Sequence, residues 1–190
     1  MAHDFGFPAH VGAGVFAALS PNNDYLGNLR DCRKLLKGVQ AGLPLEVIKV
    51  STYGNNKRKA YKIAQGANPL DLIVFSKTRN FYLNIMDPND PIPVTVDGHI
   101  FNAWEGTRLS LKGAAQRFRA KHYETVADSI REIARQRGVL ANQVQGIIWF
   151  CWRRIHGILY TAQQELWSRE ARAAGYEVPH HAVEKTFTSP

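Results

Sequence analysis

The sequence predicts an all-α protein of about eight to ten helices, and three observations lead to that prediction. First, apolar residues recur at helical spacing in several separate segments of the chain. Second, no segment shows the apolar–polar alternation of a half-buried strand, and there is no internal repeat or low-complexity block. Third, 190 residues with 45% hydrophobic content suffice for a folded globule with a sizeable core.

The N-terminal helices are marked by clear stop and start signals. The first is rich in Ala and Gly and stops at Ser20-Pro21, and the following Asn22-Asn23-Asp24 is a natural cap for the next helix. That next helix combines an apolar stripe with a basic face. In chain order, the predicted helices cover residues 11–19, 25–37, a short candidate after Pro44, and 57–65, which Gly66 closes.

The central and C-terminal segments continue the helical pattern. Residues 69–74 and 77–86 predict two short helices around a tight turn, and the three prolines of loop 87–93 cannot continue either helix. The next structured segment is expected to begin at Val94. The remaining predicted segments are helices over 98–104, 123–137 and 142–173, followed by a loose polar tail over 176–190.

Composition restricts the classes of partner and cofactor. The chain carries 24 Lys plus Arg against 16 Asp plus Glu, a net charge of +8, which favours polyanionic partners through phosphate neutralisation. This charge alone does not show whether the partner is DNA, RNA or an acidic membrane surface. The two cysteines, Cys32 and Cys151, lie in no metal-binding cluster, so we expect no zinc, no iron–sulfur cluster and no other cofactor. No apolar run is long enough to span a bilayer, so a cytoplasmic protein is expected.

The most informative motif is the run K-T-R-N-F-Y-L-N at residues 77–84, followed by V-D-G-H-I-F at 96–101. This pair resembles the helix-hairpin-helix DNA glycosylase superfamily, most closely its endonuclease III branch, which usually carries an iron–sulfur cluster that this chain cannot hold. The resemblance implies two helical subdomains flanking a cleft, within a single unit over residues 1–175. It also implies that the first and last helices form one lobe and residues of about 40–121 the central lobe.

The resemblance places Asp97 and Lys77 in the catalytic positions of that family. Breaking an N-glycosidic bond develops positive charge on the sugar, so a carboxylate and a nucleophile are needed. Asp97 begins a predicted helix, where free N–H groups favour the ionised carboxylate; the alternative is that it is only an N-cap. The amine of Lys77 matches the lyase nucleophile and would attack C1′. The alternative is a solvent-facing lysine or a phosphate contact.

Other residues are candidates for DNA contacts. The family's hairpin carries L-P-G-x-G before the lysine, and this chain has no glycine at residues 71–76, which leaves Ser76 and Arg79 to hold a phosphate. Asn22 is a candidate wedge for the gap left by a flipped nucleotide, with Asn23 beside it, although capping explains both equally well. His99 could orient Asp97 or contact phosphate, or be structural.

Aromatic and basic side chains supply the remaining candidates. A flipped base would stack on aromatic rings, although most of these rings belong in the core. The candidates for this base pocket are Tyr82, Trp104, Trp149 and Trp152. No single basic residue indicates DNA binding, but the basic residues taken together indicate a DNA-binding rim. Its members are Lys57, Arg58, Lys59, Lys62, Arg117, Arg119, Lys121, Arg153 and Arg154.

The expected function is therefore a DNA glycosylase that excises a damaged or modified base from double-stranded DNA, leaves an abasic site and has AP-lyase capacity. The absent hairpin glycines and metal cluster favour a specialised substrate, such as a glucosylated hydroxymethyl cytosine or a hypermodified thymine in phage DNA, with a role in antiviral defence. No obligate protein partner is evident. Two alternatives stay open: a non-catalytic DNA-binding module of the same fold, and an enzyme that processes a nucleobase or nucleotide on that scaffold.

Overall fold

A computed structural model describes residues 1–118, 120–158, 169 and 172–173 of the chain. The described residues form helices, turns and loops and include no strand, so the all-α prediction is confirmed for them. Two short 3₁₀ helices lie at His3–Phe5 and Leu45–Val47. The α-helices are α1 (Ala9–Leu19), α2 (Tyr25–Gln40), α3 (Gly54–Ala64), α4 (Pro69–Leu72), α5 (Ser76–Met86), α6 (Gly98–Glu105), α7 (Leu111–Arg117), α8 (Ala120–Arg137) and α9 (Ala141–Ile155).

Helix α1 is the centre of the first hydrophobic cluster. It is apolar on nearly all sides, with Val15, Ala17 and Leu19 fully buried, which is typical of a helix surrounded by other helices. Helices α2, α3, α4 and α5 pack against it. A Cβ atom on Gly14 would lie 2.8 Å from Cγ of Pro69, so glycine is needed there for the close approach of α4.

A second hydrophobic cluster is built by the segment before α6 and by helices α6, α7, α8 and α9. Its fully buried members include Val94, Val96, Phe101 and Val126. The buried members of the first cluster come from residues 11–82 and those of the second from residues 94–144. The predicted pairing of the first and last helices stays a prediction, because much of the predicted last helix lies outside the described residues.

The chain separates into two compact units, residues 1–152 and 153–190. The second unit is described only at residues 153–158, 169 and 172–173. There, α9 ends at Ile155, and Gly157 adopts a left-handed conformation with φ of 64°. The N–H of Ile158 donates to the carbonyl of Arg153 at 2.8 Å, which closes the helix end. A single helix over 142–173 is therefore wrong, and the predicted tail over 176–190 lies outside the described residues.

A buried phenol joins the two hydrophobic clusters. The Tyr123 hydroxyl on α8 donates to the carbonyl of Val94 at 2.7 Å and accepts from the N–H of Val96 and from Nδ2 of Asn80, both at 3.1 Å. One turn further along α5, Asn84 donates from Nδ2 to Oγ1 of Thr95 at 3.0 Å. Burial raises the pKa of Tyr123, so this phenol stays protonated as a donor. The two asparagines of the 77–84 motif therefore fasten α5 to the segment that leads to Asp97.

Replacing this phenol is expected to destabilise the fold. Tyr123→Phe would remove one donor and leave the N–H of Val96 without its partner in a buried site, at a cost of about 1–3 kcal/mol in the free energy of unfolding. Urea denaturation measures the change. Tyr61→Phe is the matched control, because its hydroxyl makes one exposed hydrogen bond, to the carbonyl of Leu43. Equal losses in the two variants would contradict a joining role for Tyr123.

Candidate active site

Asp97 is the N-cap of α6, and hydrogen-bond donors occupy both of its carboxylate oxygens. Oδ1 accepts from the backbone N–H groups of His99 at 2.9 Å and Ile100 at 3.0 Å. Oδ2 accepts from the indole Nε1 of Trp149 at 3.0 Å. Three N–H donors at a helix N-terminus complement the negative charge of a carboxylate. Asp97 therefore caps α6, and the same geometry holds its carboxylate in a fixed orientation.

Trp149 has a structural connection to Asp97 that the sequence did not reveal. The two residues are 52 positions apart, and no local spacing indicates that α9 supplies a hydrogen bond to the start of α6. The Trp149 ring also meets the His99 ring edge to face, with centroids 6.3 Å apart. His99 therefore lies beside the groups that hold Asp97. The predicted roles of Trp149 in a base pocket and of His99 at a phosphate stay predictions.

Lys77 lies at the second position of α5 and lines an open pocket. The pocket is formed by Ala18, Pro21, Asn56, Lys59, Ile73, Phe75, Lys77 and Thr78. Its volume is about 190 Å³, which is below the range of roughly 300–1,000 Å³ that small-molecule sites occupy.

The pocket brings together segments that are distant in sequence. The turn after α1 contributes Pro21, next to the candidate wedge Asn22, while α3 contributes Lys59 and α5 contributes Lys77. Within the described part of the chain, no salt bridge or hydrogen bond joins Lys77 to Asp97. The two are related through α5, where Lys77, Asn80 and Asn84 follow the i, i+3, i+7 spacing of one helix face.

The two predicted short helices around the turn before Lys77 are present. Helices α4 and α5 are joined by residues 73–75, close to the predicted pair of short helices. Arg79 donates from Nη1 to the carbonyl of Leu70 at 3.2 Å, and the Thr78 hydroxyl donates to the carbonyl of Phe75 at 3.1 Å. Arg79 thus holds the hairpin together, and Ser76 is exposed at the first position of α5.

The structure separates the roles of the three polar residues before α2. The cap is Asp24, whose Oδ1 accepts from the N–H of Gly27 at 2.7 Å. Asn23 donates from Nδ2 to Oδ2 of Asp31 at 3.0 Å. Asn22 is exposed with φ of 57°, and its Nδ2 donates to the hydroxyl of Tyr53 at 2.7 Å. The capping alternative for Asn22 and Asn23 is therefore wrong, because the neighbouring carboxylate takes that position.

Asp31 is a polar core residue that the sequence analysis missed. Its side chain is buried, and Oδ2 accepts from Asn23 and from the backbone N–H of Ser51 at 2.8 Å. In the sequence, the one feature that could have indicated this role is an acidic residue next to the apolar stripe of α2. Asp31 ties the turn before α2 to the loop before α3, which carries Tyr53.

The four candidate pocket aromatics are not brought into one cluster. Tyr82 is buried in the first hydrophobic cluster, and burial raises its pKa. Trp104 stacks on Phe101 of the second cluster, with ring centroids 6.2 Å apart, and donates to the Ser129 hydroxyl at 3.2 Å. Trp149 bonds Asp97, and Trp152 is half-buried on α9.

The predicted basic rim is only partly continuous. Lys57, Arg58, Lys59 and Lys62 follow one another on α3. Arg117 instead pairs with Glu105 at 2.8 Å, and the guanidinium of Arg153 donates to the carbonyl of Ile158 at 2.8 Å. Arg119 lies outside the described residues. Of these basic residues, Lys59 on α3 lines the same pocket as Lys77.

Within the part of the chain that the structure describes, no three His, Cys, Asp or Glu side chains are grouped closely enough to hold a metal ion. None of its helices combines the length and the apolar character that crossing a bilayer requires.

By fold, the described chain is an all-α protein, and Asp97 and Lys77 are its candidate site residues. The chain belongs to a family described as "Family of unknown function (DUF7178)", whose model matches residues 1–156. That match includes both Lys77 and Asp97. No curated protein and no solved structure matches the chain.

Proposed function

We propose that this protein is a DNA glycosylase that removes a modified base from double-stranded DNA in the cytoplasm and has AP-lyase activity. The observation that carries the proposal is the pocket lined by Lys59 and Lys77, since Lys77 stands where the endonuclease III branch that the motif resembles has its nucleophile. Its neighbours Pro21 and Lys59 come from the turn after α1 and from basic α3. A reactive amine that DNA can reach is what the chemistry requires.

In the proposed reaction, the neutral amine of Lys77 attacks C1′ of the nucleotide. A C1′–N bond forms to Nζ as the bond to the base breaks, and the base leaves with the bonding pair and takes up a proton. Loss of the Nζ proton and opening of the sugar give a Schiff base. Abstraction of a C2′ proton then expels the 3′ phosphate and nicks the strand.

Asp97 has an electrostatic role in this scheme. The carboxylate stabilises the positive charge that develops on the sugar in the transition state. Its three hydrogen bonds fix the side chain before the substrate arrives, so little reorganisation is needed during the reaction. Trp149 is a positioning residue for Asp97, since it touches the carboxylate and is not assigned to the reacting atoms.

The proposed substrate is a bulky modified base, such as a glucosylated hydroxymethyl cytosine or a hypermodified thymine of phage DNA. The pocket at Lys77 is small and open, so a large substituent can project from it into solvent. A base must leave the duplex stack to reach such a pocket. The proposed biological role is antiviral defence.

A panel of DNA substrates tests the proposal. Purified protein is incubated with unmodified, uracil-containing, oxidised, alkylated and phage-hypermodified DNA, and released bases are identified by mass spectrometry. We expect release of one class of modified base from the hypermodified DNA. Equal release from oxidised DNA would contradict the specialised substrate, and no release from any DNA would contradict the glycosylase.

Both carboxylate oxygens of Asp97 already accept hydrogen bonds, and this favours one alternative, a DNA-binding module without catalytic activity. A carboxylate that already accepts three hydrogen bonds can be explained as a helix cap alone. Tight DNA binding without base release across the same panel is the result that this alternative predicts.

A further inference from the structure

The turn between α4 and α5 carries an exposed aromatic residue. Phe75 is 70% exposed and its neighbour Val74 is 63% exposed. Neither residue is a buried member of the two hydrophobic clusters. A phenyl ring that stays mostly in water forgoes much of the roughly 1.5–3 kcal/mol that full burial would contribute, so burial does not account for an aromatic side chain at this position.

One lysine side chain lies over this ring. Nζ of Lys59 on α3 lies 5.2 Å from the centroid of the Phe75 ring, within cation–π distance. Phe75 and Lys59 also line the same pocket as Lys77. The surface therefore combines an accessible ring with two cations.

The segment around Phe75 is strongly basic. Residues 49–86 contain a single acidic residue, Asp71, against seven basic ones, which are Lys49, Lys57, Arg58, Lys59, Lys62, Lys77 and Arg79. Such a segment complements a phosphate backbone, and its aromatic ring complements the face of a nucleobase. An apolar protein partner would not account for this charge.

We propose that Phe75 is a stacking platform for an unpaired base of DNA, with Lys59 and Lys77 neutralising the adjacent phosphates. Within a duplex both faces of each base are covered by its neighbours, so the ring is accessible only to a base in a single strand, a bulge or a locally opened duplex. The inference rests on the proposed function for the choice of DNA. It deepens that proposal by naming how an opened strand is held beside the Lys77 pocket.

DNA-binding measurements test the stacking platform independently of base release. Fluorescence anisotropy would compare a short labelled single strand, a duplex with a one-base bulge and a fully paired duplex, all made of unmodified DNA. We expect Phe75→Ala and Phe75→Leu to weaken binding of the single strand and the bulge by about 5- to 150-fold, since a leucine has no ring face for stacking. Binding of the paired duplex is expected to change by less than about twofold, and Phe75→Trp to bind all three DNAs at least as well as wild type.

Two control variants separate stacking from general effects. Ile92→Ala removes another 63% exposed apolar side chain outside the hairpin, and its DNA binding is expected to be unchanged. Lys59→Ala is expected to lower the dependence of log affinity on log salt by about one, which Lys112→Ala on exposed α7 should not do. Thermal unfolding verifies that each variant folds, and the exposure of Phe75 predicts an unchanged Tm.

Several results would overturn the platform. These are full binding by Phe75→Leu, an equal loss on all three DNAs, or a Phe75-dependent affinity confined to RNA of the same sequence. The two proposals fail separately. Phe75-dependent binding without base release contradicts only the glycosylase, whereas base release with Phe75-independent binding contradicts only the platform.

Discussion

Asp97→Asn is expected to lower the rate of base release by about 100- to 1,000-fold, while the affinity for DNA stays within about twofold. The substitution removes the negative charge that would stabilise the developing positive charge on the sugar. It keeps the size of the side chain and a residue type that caps helices well. Single-turnover rates of base release and anisotropy titrations with DNA measure the two quantities.

The amide of this variant also has a structural consequence. Asparagine offers a single acceptor oxygen, so it can serve the N–H groups of α6 or the indole of Trp149 but not both as the carboxylate does. We expect a loss of about 1 kcal/mol in the free energy of unfolding. That loss leaves the protein folded, so it would not by itself account for a loss of activity.

Asp24→Asn is the matched control for this variant. Asp24 is also an N-cap, and it accepts from the N–H of Gly27 at 2.7 Å through Oδ1. The same chemical change is therefore made at the start of α2, in the first hydrophobic cluster. Base release by Asp24→Asn is expected to be that of the wild type. A fully active Asp97→Asn protein would refute the proposed mechanism.

Lys77→Ala is expected to lose strand nicking and the covalent adduct that borohydride traps with DNA. Base release should fall by about 100- to 10,000-fold, the range for one positioned catalytic group, because no amine then attacks C1′. Gel electrophoresis of labelled DNA measures nicking and trapping in the same samples. Lys77 is exposed, so the variant is expected to fold normally.

Two other lysines separate a nucleophile from a phosphate contact. Lys59 lines the same pocket, and Lys59→Ala should weaken DNA binding but keep the trapped adduct at saturating protein. Lys112 is exposed on α7, and its replacement by Ala should change neither quantity. An adduct of unchanged yield in Lys77→Ala would assign the nucleophile to another residue.

Helical periodicity predicted much of the fold. The predicted helices over 11–19, 25–37 and 123–137 overlap α1, α2 and α8, because each buries a continuous apolar stripe whose spacing is visible in the sequence. The predicted C-terminal helix over 142–173 extends past the observed helix end at Ile155. There, Gly157 takes a left-handed conformation and the chain turns, and an isolated glycine in an apolar stripe does not reveal such a stop.

Contacts between distant segments could not be predicted in the same way. The hydrogen bonds of Tyr123 with Val94 and of Trp149 with Asp97 join residues 29 and 52 positions apart, and they depend on how the helices pack. The motif did single out Asn80 by resemblance, but its hydrogen bonds to Val94 and Tyr123 required the structure. The exposure of Phe75 was equally hidden, because the sequence showed only that glycines were missing from the turn.

Abasic-site formation, counted for wild type and Asp97→Asn side by side on phage-hypermodified and unmodified DNA, tests the central claim most directly. The glycosylase proposal predicts abasic sites in the hypermodified DNA that accumulate with the wild type and not with Asp97→Asn. Absence of abasic sites with the wild type, despite tight binding to the same DNA, would contradict it.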